Sequence, residues 1–209
     1  MSTSPHPLPV LYIGNKNYSS WSLRPWLLMT VLGIPFEERL VPFGNVPGQP
    51  PFSVFSPTAK VPCLHDGGLV VWDSLSITEY LAETHPEVWP RDAEARAWAR
   101  SATAEMHSGF TALRSHCPMN IEASLPDVGA LVWRDQAGVR TDVERLETLW
   151  RDALADHGGP MLFGDFSVAD AYFAPICTRL NTYGLPLSDT VAAYVKRVMA
   201  LPGVLRGGL

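Results

Sequence analysis

A chain of 209 residues, 46% hydrophobic and 18% charged, is long enough for one large domain or two modest ones with a sizeable core, which excludes a disordered protein. The net charge of −5 leaves no basic footprint for nucleic acid, so an anionic substrate must be held by local dipoles or a few placed cations. Three scattered cysteines (Cys63, Cys117, Cys177) make no disulfide framework, the opening MSTSPHPLPV lacks the flank and apolar core of a leader, and no apolar run reaches membrane-span length, so a soluble cytoplasmic protein without a membrane partner is expected.

Val10-Leu11-Tyr12-Ile13 reads as a compact strand, closed by the turn-prone Gly14-Asn15-Lys16-Asn17. The hydroxyls of Ser19-Ser20-Trp21-Ser22 can cap a helix whose apolar positions Trp26, Leu27, Val31 and Leu32 follow at helical spacing until Gly33. A second strand is predicted over 36–43, then a loop rich in proline and glycine over 44–57. Residues 61–64 and 69–72 read as two strands joined by the hairpin turn His65-Asp66-Gly67-Gly68, after which Asp73-Ser74 opens a helix with Leu75, Ile77, Tyr80 and Leu81 on its buried face. Prolines 86 and 90 mark a linker over 85–92. Helices are predicted over 93–117, 127–157, 168–183 and 189–201, separated by glycine, proline or polar breaks. The order βαβ-ββα followed by helices alone predicts a small α/β domain with an all-helical one beside it.

Three places on this scaffold carry chemistry. Ser19, Ser20 and Ser22 crowd the first helix N-terminus, where unpaired N–H groups favour an anion; they serve as caps or as hydroxyl donors to a bound anion. Val61-Pro62 opens a strand. A trans bond there is an ordinary strand start, whereas a cis bond turns the Val61 main chain outward to pair with an extended peptide. Asp73-Ser74, directly after a strand, is either a plain cap or a nest for a carboxylate.

Together, SPTAKVPCL, LVVWDSLSITEYLAE and FGDFSVADAYFAP resemble the cytosolic glutathione S-transferases, and YVKRVMALPGV is similar to that family's last core helix. SSWSLR most resembles the zeta class, whose pattern is SSCSWR; Trp21 stands where that pattern has cysteine and Leu23 where it has tryptophan. The resemblance implies a thioredoxin-like glutathione-binding domain over 1–84, the linker, an all-helical domain over 93–209, and a homodimer. It implies that glutathione is the co-substrate and that Ser19 is catalytic, with Ser20 in reserve because related serine classes place the serine four residues before the arginine. Val61 before Pro62 would hold the cysteinyl backbone, Ser74 and Asp73 the γ-glutamyl end, and Lys60 or Gln49 the glycyl end. Ser167 and Asp170 match the family's internal capping box, a folding element.

The implied activity is conjugation: a serine hydroxyl stabilises the glutathione thiolate, which attacks a small hydrophobic electrophile. The second substrate would lie between the domains, against Trp21, His107, Phe110, Arg114, Met119 and Asn120. The alternatives are a zeta-type glutathione-dependent cis–trans isomerase, like maleylacetoacetate isomerase, and a non-catalytic binding module on the same fold. The last third holds no arginine at the isomerases' carboxylate position, only Arg179 nearby. A thiol–disulfide oxidoreductase would need a cysteine where Trp21 stands, and no metal site is expected from six unpaired histidines.

Overall fold

Leu11 and Ile13 are fully buried along β1 (Val10–Ile13) while its other residues are half-buried, so a four-residue strand commits one face to the core. In this computed structural model, which describes residues 7–44 and 47–204, β1 belongs to a four-stranded sheet ordered β2-β1-β3-β4. Most of the stretch read for a leader, residues 45 and 46 of the predicted loop, and residues 205–209 lie outside the described residues.

The parallel partner β2 (Glu37–Leu40) needs a crossover, and α1 (Ser20–Leu32) supplies it. Gly33 ends α1 in the left-handed region at φ 68°, which a glycine adopts without steric cost. β3 (Cys63–Asp66) runs antiparallel to β1, and β4 (Leu69–Trp72) antiparallel to β3. The predicted turn is shorter than expected. Gly67 and Gly68, both with positive φ, make a two-residue connection, so His65 and Asp66 pair with Val70 and Leu69. That moves the third strand two residues onward from the predicted 61–64, because Pro62 has no N–H to give a ladder. β2 is likewise shorter than the predicted 36–43: β1 offers four residues to pair with, and Pro42 follows.

α2 (Ser74–Ala82) completes the first half, and the linker contains one 3-10 turn at Pro86–Val88. Among the described residues six helices follow: α3 (Ala93–Ser108), α4 (Thr111–His116), α5 (Pro126–Asp135), α6 (Ala137–His157), α7 (Val168–Tyr183) and α8 (Asp189–Met199). Two of the predicted helices are each split in two. Gly109 is extended and Phe110 left-handed at φ 54°, which turns the Phe110 ring into the core edge-on to Phe173. The new helix start is stabilised from outside, as the Leu113 N–H donates to Asp142 on α6 at 2.9 Å. Gln136, at φ −110° and ψ 91°, separates α5 from α6 in the same way.

Nearly every residue of α7 is buried, and it packs against α1, α3, α5 and α8, so this helix ties the sheet half to the helical half. The expected capping box holds its N-terminus: Ser167 N–H donates to Asp170 at 2.9 Å. α5 can approach α7 only through Gly129, where an added Cβ would lie 1.7 Å from the Tyr183 carbonyl oxygen. A main-chain carbonyl cannot swing aside. Gly129→Ala is therefore expected to cost about 3 kcal/mol, the upper end for overpacking, and to lower the melting temperature by about 6–12 °C in a circular-dichroism melt. An unchanged melt would mean that α5 rides free of α7.

Candidate active site

The ends of β4 and α2, the strand-opening proline and the first turn of α1 meet at one cavity of about 490 Å³, closed on the helical side by α3. Val61, Pro62, Asp73 and Ser74 all line it, together with Trp21 from α1 and His107 from α3. The Val61-Pro62 bond is cis, and pairing between β1 and β3 begins only at Cys63, so the Val61 main chain lies beyond the ladder at the cavity wall.

At the start of α2 two adjacent residues line the cavity in different ways. Asp73, at φ 71°, is the N-cap: its Oδ1 accepts from the N–H groups of Leu75 at 2.8 Å and Ser76 at 3.4 Å. Its Oδ2 lies 3.6 Å from His107 Nε2. Ser74 accepts from the Tyr172 hydroxyl at 3.0 Å and keeps its own proton free to donate. Burial raises the Tyr172 pKa well above the ordinary phenol value, so this phenol stays protonated and remains a donor.

Ser19 caps α1. Its oxygen accepts from Ser22 N–H at 3.4 Å, and its hydroxyl donates to Ser22 Oγ at 2.9 Å; Gly14 N–H reaches the same Ser22 oxygen at 3.0 Å. Ser19 and Ser20 are each 8% exposed and neither is among the residues lining the cavity, which the serine segment enters through Trp21. Around Trp21 sit Arg24 at 4.1 Å and Arg114 at 5.0 Å from the ring centroid, with His107 edge-on at 5.1 Å. Arg24 also lies 4.9 Å over Tyr172, and its Nε and Nη1 are buried without a hydrogen-bond partner among the described residues. Burial lowers its pKa to about 9, with smaller contributions from Arg114 and Arg179; burial likewise brings Arg179 down to about 10.

The family models decide the identity of this arrangement. The glutathione S-transferase N-terminal domain matches residues 18–84, and the glutathione S-transferase C-terminal domain matches residues 96–204. The chain belongs to the glutathione S-transferase family. It is 30% identical to a probable maleylacetoacetate isomerase of Caenorhabditis elegans, covering 86% of this chain and 82% of that one. It is 27% identical to the maleylacetoacetate isomerase of Rattus norvegicus, covering 92% and 88%. Among solved structures it resembles a glutathione transferase homologue from Burkholderia gl BGR1 with bound glutathione, at 27% identity and TM-score 0.70 over 94% of each chain. This is an enzyme family, and glutathione is its co-substrate.

In this glutathione S-transferase, Lys60 lines the cavity shared by Val61 and Ser74, but Gln49 does not. Gln49 lines a neighbouring cavity of about 520 Å³ with Phe43 and Phe52, which shares no lining residue with the first. Met119 and Phe110 are core side chains, 4% and 6% exposed. Asn120 points its carbonyl oxygens inward, the main-chain one accepting from Thr182. Arg114 meets the cavity only through Trp21. Beyond the residues the sequence singles out, Thr58 and Trp72 line the cavity and Tyr172 seats Ser74 from α7. Trp72 was legible as the residue before Asp73, whereas Tyr172, 98 positions from Ser74, carries no local signal.

The cysteines are unsuited to thiolate chemistry. Burial raises all three thiols, Cys117 to about 11 and Cys177 further still. Cys63 Sγ and His65 Nε2 both turn to the Phe55 carbonyl oxygen, at 3.3 and 2.7 Å.

Proposed function

We propose that this transferase binds glutathione along the cavity from Lys60 to Ser74 and activates its thiol through the Ser19 hydroxyl for attack on a small electrophile. The observation that carries this is the meeting of Val61, Asp73 and Ser74 in one cavity with Trp21 of the serine segment. The Val61 main chain is placed to pair with the cysteinyl unit, as a strand pairs with an edge. The free proton of Ser74 suits the γ-glutamyl carboxylate, Asp73 Oδ2 suits the ammonium, and Lys60 suits the glycyl carboxylate. Ser19 is preferred to Ser20 because it caps α1 and lies within a hydrogen-bond network that can turn a proton outward.

A free thiol titrates near ~8.5, so only a few per cent is thiolate at neutral pH. A hydroxyl donor at a helix N-terminus lowers that value by stabilising the anion, while the thiol proton leaves to solvent. The test is a structure with glutathione bound. The sulfur is expected within hydrogen-bonding distance of Ser19 Oγ; a sulfur nearest Ser20 Oγ moves the role there, and one remote from both removes the serine mechanism. Glutathione binding without turnover of any electrophile would favour the binding module.

One observation favours a zeta-type isomerase acting on a small carboxylate as the second reading. Among the described residues Arg114 and Arg179 direct their hydrogen bonds to main-chain carbonyls, and with Arg24 they concentrate positive charge behind Trp21. Conjugation consumes the thiol and isomerisation returns it, so the glutathione balance after turnover separates the two. We also propose a cytoplasmic homodimer, supported by the exposed Leu69 and Trp72 on edge strand β4, and tested by light scattering. Among the described residues no helix is long and apolar enough to cross a membrane.

A further inference from the structure

We propose that Ser22 is a positioning residue that passes the polarity of the Gly14 amide through Ser19 to the glutathione sulfur. This rests on the assignment of Ser19 above. Ser22 has no exposed surface, and its oxygen lies 3.0 Å from Gly14 N and 2.9 Å from Ser19 Oγ. A hydroxyl has one proton and two acceptor sites. Without ligand, Ser22 accepts from both Gly14 and Ser19, so the Ser19 proton faces inward.

When a thiolate arrives, the Ser19 proton is needed on the outside. Turning it outward leaves the Ser19 oxygen facing Ser22 Oγ, whose own proton can rotate to fill the gap. The result is a chain in which Gly14 N–H donates to Ser22, Ser22 to Ser19, and Ser19 to sulfur. Each hydroxyl accepts from one side and donates to the other, so each bond polarises the next. The only covalent change is loss of the thiol proton to solvent; both serines keep theirs. Ser22 thus makes Ser19 a better donor without touching the ligand, and the buried Gly14 amide anchors the chain.

The experiment is an ultraviolet titration of the thiolate of enzyme-bound glutathione in the wild type, Ser19→Ala, Ser22→Ala and Ser22→Thr. Ser22→Ala is expected to raise the bound thiol's pKa and lower kcat/KM at neutral pH about fivefold, the worth of one neutral hydrogen bond. Glutathione affinity should change less than about twofold, and Ser22→Thr, which keeps the hydroxyl, should restore the titration. If Ser19→Ala shifts the titration and Ser22→Ala does not, the relay is overturned while the role of Ser19 stands. If neither shifts it, the serine mechanism itself fails and takes the relay with it. Should Ser22→Ala not fold, nuclear magnetic resonance of the wild-type glutathione complex decides. The Gly14 amide is expected to move with the thiol's titration, and an amide indifferent to it overturns the relay.

Discussion

Ser19→Ala is expected to cut kcat/KM for the electrophile at saturating glutathione about fiftyfold at pH 6.5 and hardly at all above pH ~9. A hydroxyl donor that lowers the thiol by about two pKa units stabilises the thiolate by about 2.7 kcal/mol, close to the worth of one oxyanion-hole donor. Near pH 6.5 half the bound thiol would then be ionised in the wild type, against about one per cent at the free value of ~8.5. Above both values the thiol ionises unaided, so the two rate profiles converge as pH rises. At pH 6.5 glutathione affinity should fall only about twofold, because Val61, Asp73, Ser74 and Lys60 are untouched and most of the free thiol is protonated there. Alanine also removes the N-cap of α1, at about 1 kcal/mol of stability, whereas glycine costs only a few tenths. Ser19→Gly therefore separates the roles: full kinetic loss with a nearly normal melt. A pH profile shifted downward in parallel at every pH would assign Ser19 to substrate placement and refute its role in ionisation.

Local chemistry was legible in the sequence where partners are neighbours. Asp73-Ser74 after a strand, Ser167 with Asp170 three residues on, and Gly33 after a helix each announce themselves within a few positions, and each stands where expected. What was not legible depends on contacts across the fold. Nothing near Phe110 says that its ring must reach Phe173, yet that contact ends the predicted helix over 93–117. Gly129 reads as a weak helix residue until the Tyr183 carbonyl is set against it. Apolar residues 61–64 predict the strand after Pro62 two residues early, because its register is set by the two-residue turn at Gly67-Gly68. The site divides along the same line. Val61, Asp73 and Ser74 came from motifs, whereas the seating of Ser74 by Tyr172 and of Arg24 between Trp21 and Tyr172 required α7 to pack against α1.

Asp170→Ala is expected to be among the most destabilising single substitutions in the chain. The side chain is fully buried, and its two oxygens accept from the N–H groups of Leu162 and Ser167 and from the Tyr194 hydroxyl, at 3.1, 2.9 and 3.0 Å. Its removal leaves two buried N–H groups and a buried phenol unpaired at the head of the helix that joins the two halves, a loss of about 3–5 kcal/mol. That corresponds to a melting temperature lower by roughly 10 °C for a chain of this size. The pH dependence carries a distinct sign. Burial raises the carboxyl from 3.8 to about 6, the hydrogen bonds only partly opposing it. The folded state therefore holds this proton more tightly than the unfolded one, and between pH 4 and 6 stability from this group falls as pH rises, by about 3 kcal/mol across the window. An exposed cap such as Asp92, whose carboxyl is lowered by the Ala95 N–H, acts in the opposite direction. The destabilisation by Asp170→Ala, measured by urea denaturation, should thus be larger at pH 4.5 than at pH 7.5. A cost that grew with pH instead would mean that Asp170 is ionised throughout and bound chiefly as an anion by the α7 N-terminus.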